Sequence, residues 1–329
     1  MTDKDMLSLI KSFPSFCIEG FSIDKDLIDL KGIENIVYAG MGGSAIAGDI
    51  LKEMLYPISK YPFEVVRNYE LPDYVSGKTF LIISSFSGNT EETLKCFEDG
   101  LKRKSKILAL SSGGDVEKIA KKNHIKHIKL KLDCPPRAAL GMTLGVLLKK
   151  MTLLVKEKNF SDQIEESLLK LSDYYFDDLN AKKVAKILKG KIVNVYTDSA
   201  FSSVAKRFAN QLHENSKHFS HFNFLPEMDH NEIVGLEKPD FIKTKIFIIF
   251  LLFKQMDEKN RKRTLITERI LKDFGFETMI FEFEDDNRVF NILDSIMTLD
   301  LLSYYLAVEN RVDPMKIERI DILKKRIKE

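Results

Sequence analysis

Eight consecutive apolar residues, Ile246–Phe253, limit the folds open to this chain. The run is far too short to span a bilayer as a helix, which takes about 20 residues. It reads as a strand buried on both faces, the kind found in parallel sheets covered by helices on each side. Other runs rich in β-branched residues, at 36–39, 80–84, 107–110, 191–196 and 278–281, fit the same sheet chemistry. The first three lead into helix-length amphipathic segments opening near Ser44, Asn89 and Gly114. Such alternation predicts an α/β protein with parallel strands flanked by helices.

The chain has 329 residues, enough for two domains of ordinary size. Helical stretches at 137–158 and from Asp162 interrupt the alternation, which restarts at Lys191. A faint internal repeat relates residues 38–45 to 195–200, since both read as strand, turn, then a helix beginning at Ser-Ala. Two related halves follow, 1–160 and 161–329. Only the first keeps glycines in its turn, and the second has the apolar 249–253 in place of a hydroxyl-rich loop.

That hydroxyl-rich loop, SSFSGNTEET at 84–93, follows the apolar run 79–83. A buried strand entering clustered hydroxyls, a glycine and a helix start suits a phosphate. Helix N-terminal N–H groups and their dipole attract an anion, while Ser85, Ser87 and Thr90 add donors. The loop has no lysine and no G-x-x-x-x-G-K-[ST], which excludes a nucleoside-triphosphate loop. A second glycine-rich turn, Gly40 to Ser44, lies between strand and helix; Ala45 stands where a dinucleotide fingerprint needs glycine. Both loops fall at the carboxyl ends of strands, where α/β sheets bind ligands, so Gly43 and Ser44 join the candidate anion site.

The bulk chemistry excludes other partners. Fifty-one basic residues against 49 acidic ones leave a net charge of +2, no excess for nucleic acid, and the cluster 259–263 reads as a solvated helix face. Three cysteines without a C-x-x-C pair fit a reducing compartment and give no cysteine-based zinc site. The polar start, residues 1–5, is no secretory signal, and the longest apolar stretch, Ile246–Phe253, is too short for a membrane helix. A cytoplasmic protein is expected.

Three further positions carry chemistry. Arg137 follows the rigid Pro135-Pro136 pair at a helix start, either as a surface arginine or aimed at an oxyanion. Glu214 ends a helix, where the dipole disfavours a carboxylate; read at the carboxyl edge of an α/β unit, it is a candidate general base. His230 lies in a polar loop after the strand 219–224. Neither H-x-H nor H-E-x-x-H occurs, so no metal site is expected, and no cofactor.

In this order GMGGSAIAGD (40–49), SSFSGNTEET (84–93), PPRAALG (135–141), NQLHENSK (210–217), PEMDHNEIVG (226–235) and VDPMKIERIDILKKR (312–326) resemble the bifunctional phosphoglucose/phosphomannose isomerases of the sugar isomerase (SIS) superfamily, known chiefly from archaea. The resemblance covers almost the whole chain. It implies two SIS-type subdomains and metal-independent interconversion of glucose 6-phosphate, and mannose 6-phosphate, with fructose 6-phosphate through a cis-enediolate. It implies phosphate binding by Gly43, Ser44, Ser85, Ser87 and Thr90, Glu214 as base, and Arg137 steadying the enediolate. His230 and Lys324 (with Lys325 one position away) are implied in ring opening, His230 coming from the partner subunit of a homodimer. His213 and Asp229 stand where the family commonly has asparagine. Two rivals remain: a noncatalytic sugar-phosphate sensor, which usually carries a helix-turn-helix, and an aminosugar-phosphate isomerase, which usually carries an extra domain.

Overall fold

The computed structural model describes residues 5–23, 30–155 and 157–327; most of the N-terminal segment read as no secretory signal, residues 1–4, lies outside them. The chain forms two compact units. A short helix, α1 (Met6–Lys11), packs on the second; the first is Ser12–Tyr174.

The first unit opens with α2 (Phe13–Ile23) and then alternates: β1 (Asn35–Ala39), α3 (Gly42–Leu55), β2 (Phe63–Val66), β3 (Thr79–Ser84), α4 (Glu91–Lys102), β4 (Lys106–Ser111), α5 (Gly114–Lys122), β5 (Lys126–Lys129). Its sheet runs β2-β1-β3-β4-β5, every pair parallel. β3 is buried at every position, as its unbroken apolar run requires. α4 buries Thr93, Cys96, Phe97 and Gly100, the spacing of one helix face. Two helices close the unit. α6 (Leu140–Val155) packs on α2 and α3, and α7 (Lys158–Ser172) on α2 and α6. Together with the turn before it, Pro136–Val155 is long and apolar enough to cross a membrane, yet 67% of its most apolar window is buried inside the protein.

The second unit holds Tyr175–Glu329. Its elements are α8 (Asp178–Leu188), β6 (Ile192–Asp198), α9 (Ser202–Glu214), β7 (Ser220–Leu225), α10 (Glu232–Gly235), α11 (Ile242–Lys245), β8 (Ile246–Phe253), α12 (Glu258–Asp273), β9 (Glu277–Phe283), α13 (Arg288–Asn310) and α14 (Glu318–Ile327). The strand order is β7-β6-β8-β9, again all parallel. β8 lies between β6 and β9 with all its residues buried, the place its sequence demands. Each such Ile, Leu or Phe contributes roughly 1.5–3 kcal/mol.

The sheets share an order. β7-β6-β8-β9 repeats β2-β1-β3-β4, so the faint sequence repeat reflects a common topology. The units divide after Tyr174 rather than near Phe160. Phe160, Ile164, Ser167 and Leu171 make a buried stripe on α7, which docks on α2 and α6 and holds that helix in the first unit.

Candidate active site

β1 and β3 are adjacent and parallel, with Ala39 opposite Ile83, so both glycine-rich turn and hydroxyl loop emerge at one carboxyl edge. The Ser44 hydroxyl accepts the Phe86 N–H at 3.1 Å, tying the turns together, and the Tyr38 hydroxyl donates to the Ser44 carbonyl at 2.9 Å. Ser85 is buried and its hydroxyl lies 2.9 Å from that of Thr90. Ser87 is exposed, with its oxygen accepting the Asn89 N–H at 3.3 Å. Gly88 has φ +74° and packs so tightly that a Cβ would sit 1.9 Å from the Gly113 carbonyl, so no other residue fits.

Arg137 belongs to the same cluster. It lies in a 3-10 turn, Pro136–Ala139, and a Cβ on Gly43 would come within 3.1 Å of its Cα and N. Its residue is only 2% exposed, which removes the surface reading. The structure thus brings Gly43, Ser44, Ser85, Ser87, Thr90 and Arg137 to one edge of one sheet.

The helix openings at this edge differ from those of the second unit. α3, α4 and α5 begin at Met41, Thr90 and Gly113, none of which caps its helix with a side chain. Thr90 could cap, but its hydroxyl is turned to Ser85. Helix starts carry unpaired N–H donors and the positive end of the dipole; no side chain caps α3 or α4, whereas at α5 the Asn89 side-chain oxygen accepts the Asp115 N–H at 3.0 Å. In the second unit Asp257 accepts the Lys259 and Asn260 N–H groups at the start of α12 and Asn287 that of Phe290 at α13; α9 opens at Phe201 without a side-chain cap, but Asp198 accepts the Ala200 N–H of the 3-10 turn before it. Asp198 stands directly before Ser199-Ala200 as Gly43 stands before Ser44-Ala45. Asp198 therefore places a carboxylate where the first unit has its glycine-serine turn.

Glu214, His230 and Lys324 all lie in the second unit. Glu214 is the last residue of α9 and half-buried, in the wall of a cleft of about 820 Å³ lined also by Lys217, His218, Asp313, Ile317 and Ile320. Its helix end is held firmly. The Asn215 amide donates to the Ser303 hydroxyl at 2.9 Å, the Ser216 hydroxyl to the Ser303 carbonyl at 2.6 Å, and Lys217 Nζ to the Glu214 carbonyl at 2.8 Å. Lys217 also donates to the Asp313 carbonyl, joining the helix end to the cleft's far wall.

Glu214 is not at the carboxyl edge. α9 runs antiparallel to the strands it connects, so its C-terminus returns to the edge where β7 begins; His218 bonds there to the Lys191 carbonyl just before β6. His230 is exposed in the 3-10 turn Glu227–His230, beyond the other end of β7. The six residues of β7 separate them, roughly 20 Å at about 3.3 Å per residue. One copy of this unit does not bring the two together. Lys324 and Lys325 are both exposed on α14. Among the described residues no three His, Cys, Asp or Glu side chains form a set that could hold a metal.

One group was not anticipated from the sequence. Glu232, two residues beyond His230, accepts from the Tyr196 hydroxyl at 2.5 Å, from the Asn223 amide at 2.5 Å, and lies 3.1 Å from His221 Nε2. Burial opposes ionisation of Glu232, but the hydrogen bonds from His221, Asn223 and Tyr196 outweigh it and hold its carboxyl below the usual range. The same bond raises the His221 imidazole, with burial opposing.

Two parallel α/β units, one presenting a hydroxyl loop over uncapped helix starts, define the SIS class of sugar-phosphate folds. Residues 177–327 match the family described as bacterial phospho-glucose isomerase C-terminal SIS domain. The C-terminal domain of glucosamine-fructose-6-phosphate aminotransferase from Francisella tularensis superposes with a TM-score of 0.74 at 16% identity, covering 96% of this chain and 99% of that one. A bifunctional phosphoglucose/phosphomannose isomerase from Caldicellulosiruptor bescii is 34% identical over 98% of this chain and 99% of its own length. One from Aquifex aeolicus is 32% identical over 94% and 97%. The chain belongs to the bifunctional phosphoglucose/phosphomannose isomerase family.

Proposed function

We propose that this chain is a metal-independent aldose–ketose isomerase that interconverts glucose 6-phosphate and mannose 6-phosphate with fructose 6-phosphate. The observation that carries the reading is the glycine- and hydroxyl-lined edge of the first unit: α3 and α4 open there without a side-chain cap, whereas Asp198 places a carboxylate at the equivalent turn of the second unit. Gly43, Ser44, Ser85, Ser87 and Thr90 hold the phosphate. Family membership along nearly the whole chain favours an enzyme over a noncatalytic sensor.

Ring opening comes first, with His230 and Lys324 moving protons at the ring oxygen and the C1 hydroxyl. Glu214 then takes the proton from C2 and returns it to C1, leaving an enediolate between the steps. The negative oxygen of that intermediate is met by Arg137, a buried guanidinium whose charge is worth more there than in water. C2 is planar in the enediol, so either epimer can form from it. Lys324 and Lys325 both follow the cleft-lining residues 316–320 on α14, and the family resemblance favours Lys324.

The opposite-edge positions of Glu214 and His230 support a homodimer in which His230 serves the partner's site. Free cysteines fit the cytoplasm. A coupled assay with fructose 6-phosphate tests the activity: formation of glucose 6-phosphate supports it, and binding without turnover returns the sensor. Mixing Glu214→Gln with His230→Ala subunits tests the dimer, since hybrids have one intact site of two. No recovery despite subunit exchange would show that each chain uses its own histidine.

A further inference from the structure

The loop that carries His230 is pinned on both sides of it. Before it, Met228 is fully buried and the Asp229 carboxylate accepts the Thr267 hydroxyl of α12 at 3.0 Å, with Arg263 of the same helix 3.5 Å away. After it, Asn231 caps α10 by accepting the Glu232 N–H at 2.6 Å and reaches back to the Glu227 carboxylate at 2.9 Å. His230 alone stays exposed between these anchors.

Glu232 is the most heavily supported of them. Asn194 and Tyr196 lie two apart on β6, and His221 and Asn223 two apart on β7, so all four share one face of the sheet. They also form two cross-strand pairs, Asn194 with His221 and Tyr196 with Asn223. Three of the four donate to Glu232, and Asn194 donates to the Tyr196 hydroxyl at 3.0 Å, orienting the tyrosine proton toward the carboxylate. Tyr196 and Asn194 are buried, so both need their partners. Burying Asn194 and Tyr196 beneath one surface-loop carboxylate is costly unless the loop must be held in one place.

We propose that Glu232 is a positioning residue that fixes the His230 imidazole, through the short Asn231 link, at the geometry proton transfer needs. This rests on the reading of His230 as a ring-opening group. Glu232 touches no substrate; it acts through the loop. Replacing it lets the loop relax, and a displacement of about 1 Å costs on the order of 10²-fold in rate. The phosphate-holding loops lie in the other unit, so KM for fructose 6-phosphate should change far less than kcat.

The test is a double-mutant cycle on the full-length protein, with kcat and KM for fructose 6-phosphate and the thermal midpoint of each variant. Glu232→Gln should lower kcat about 10²-fold in the parent and have no further effect on kcat in the His230→Ala background. The same loss in both backgrounds would mean a general structural role and overturn the proposal, as would no loss in the parent. If His230→Ala itself leaves kcat intact, the catalytic reading of His230 falls first and the proposal with it, so the two failures are distinct. Should Glu232→Gln not fold, Asn223→Ala removes a single donor at a partly exposed position. It should give a smaller loss of kcat, again only when His230 is present; equal losses in both backgrounds would overturn the proposal here too.

Discussion

Gly43→Ala is the substitution whose effect can be worked most fully from the structure. The added Cβ would lie 3.1 Å from both Cα and N of Arg137 and 3.2 Å from the Pro136 carbonyl carbon. All three are backbone atoms, so no side chain can swing aside. Comfortable carbon contacts begin near ~3.5 Å, so the 3-10 turn must retreat by roughly 0.5 Å. Pro135 and Pro136 stiffen it, and it moves as a block, taking the Arg137 guanidinium with it. If about 1 Å costs 10²-fold, half that distance costs about tenfold in kcat. Overpacking of this kind also costs about 1–3 kcal/mol of stability. Gly43 does not have a positive φ, whereas its neighbour Gly42 does, at +50° with nothing within 4 Å of its Cβ position. Gly42→Ala therefore strains the backbone without pushing Arg137, and should lose stability with a smaller loss of kcat. A coupled assay with fructose 6-phosphate, alongside thermal melts, separates the two. Wild-type kcat in a folded Gly43→Ala protein would refute the packing argument and the role it gives Arg137.

Other outcomes follow from the same geometry. Glu214→Gln should cut turnover by ~10²–10⁴-fold with phosphate binding retained, the usual worth of a positioned base; inorganic phosphate as a competitor reports the retained binding. Ser87→Ala and Thr90→Ala should each weaken sugar-phosphate binding by roughly 1.5–3 kcal/mol, the range for hydrogen bonds to charged groups, measured by titration calorimetry. Asp198→Ala removes a cap and should cost about 1 kcal/mol in urea unfolding while leaving kcat unchanged, because the second unit's anion position is used by the protein itself. The His221–Glu232 pair should respond to pH from both ends. His221 has a raised pKa when folded, so its contribution is complete below the unfolded value of about 6.5 and is lost as pH rises through the folded value. Glu232 is depressed, so its contribution is present above about 4.3 and is lost as pH falls through the folded value. Urea midpoints across this range should flatten in His221→Gln.

Much of this was legible from residue patterns. β3 and β8 follow from unbroken apolar runs, and the helix openings after β1, β3 and β6 from runs that end in glycine, serine or aspartate, signals that need no tertiary information. β2 and β5 were not legible, because FEVV and KHIK are four-residue edge strands with exposed charged positions and no apolar run. The anion loop was readable because strand, glycine and hydroxyls are contiguous. The capping contrast was half readable: Asp198 is visible beside Ser199, but only the structure directs its carboxylate to the Ala200 N–H. The edge occupied by Glu214 could have been found, since a helix between parallel strands must end where the next strand begins. The group around Glu232 left a trace in the alternation of Asn194 with Tyr196 and His221 with Asn223. Its meaning depends on β6–β7 register, which local sequence does not carry.

Turnover of fructose 6-phosphate in D₂O, followed by NMR, reports whether one base-catalysed enediolate feeds both epimers. A proton removed from C1 by Glu214 and exchanged with solvent before delivery to C2 leaves deuterium at C2. Glucose 6-phosphate and mannose 6-phosphate should both carry C2 deuterium, both form undiminished after exhaustive chelation, and both be lost by the same factor in Glu214→Gln. Mannose 6-phosphate formed without deuterium, or surviving Glu214→Gln while glucose 6-phosphate is lost, would contradict a single shared site.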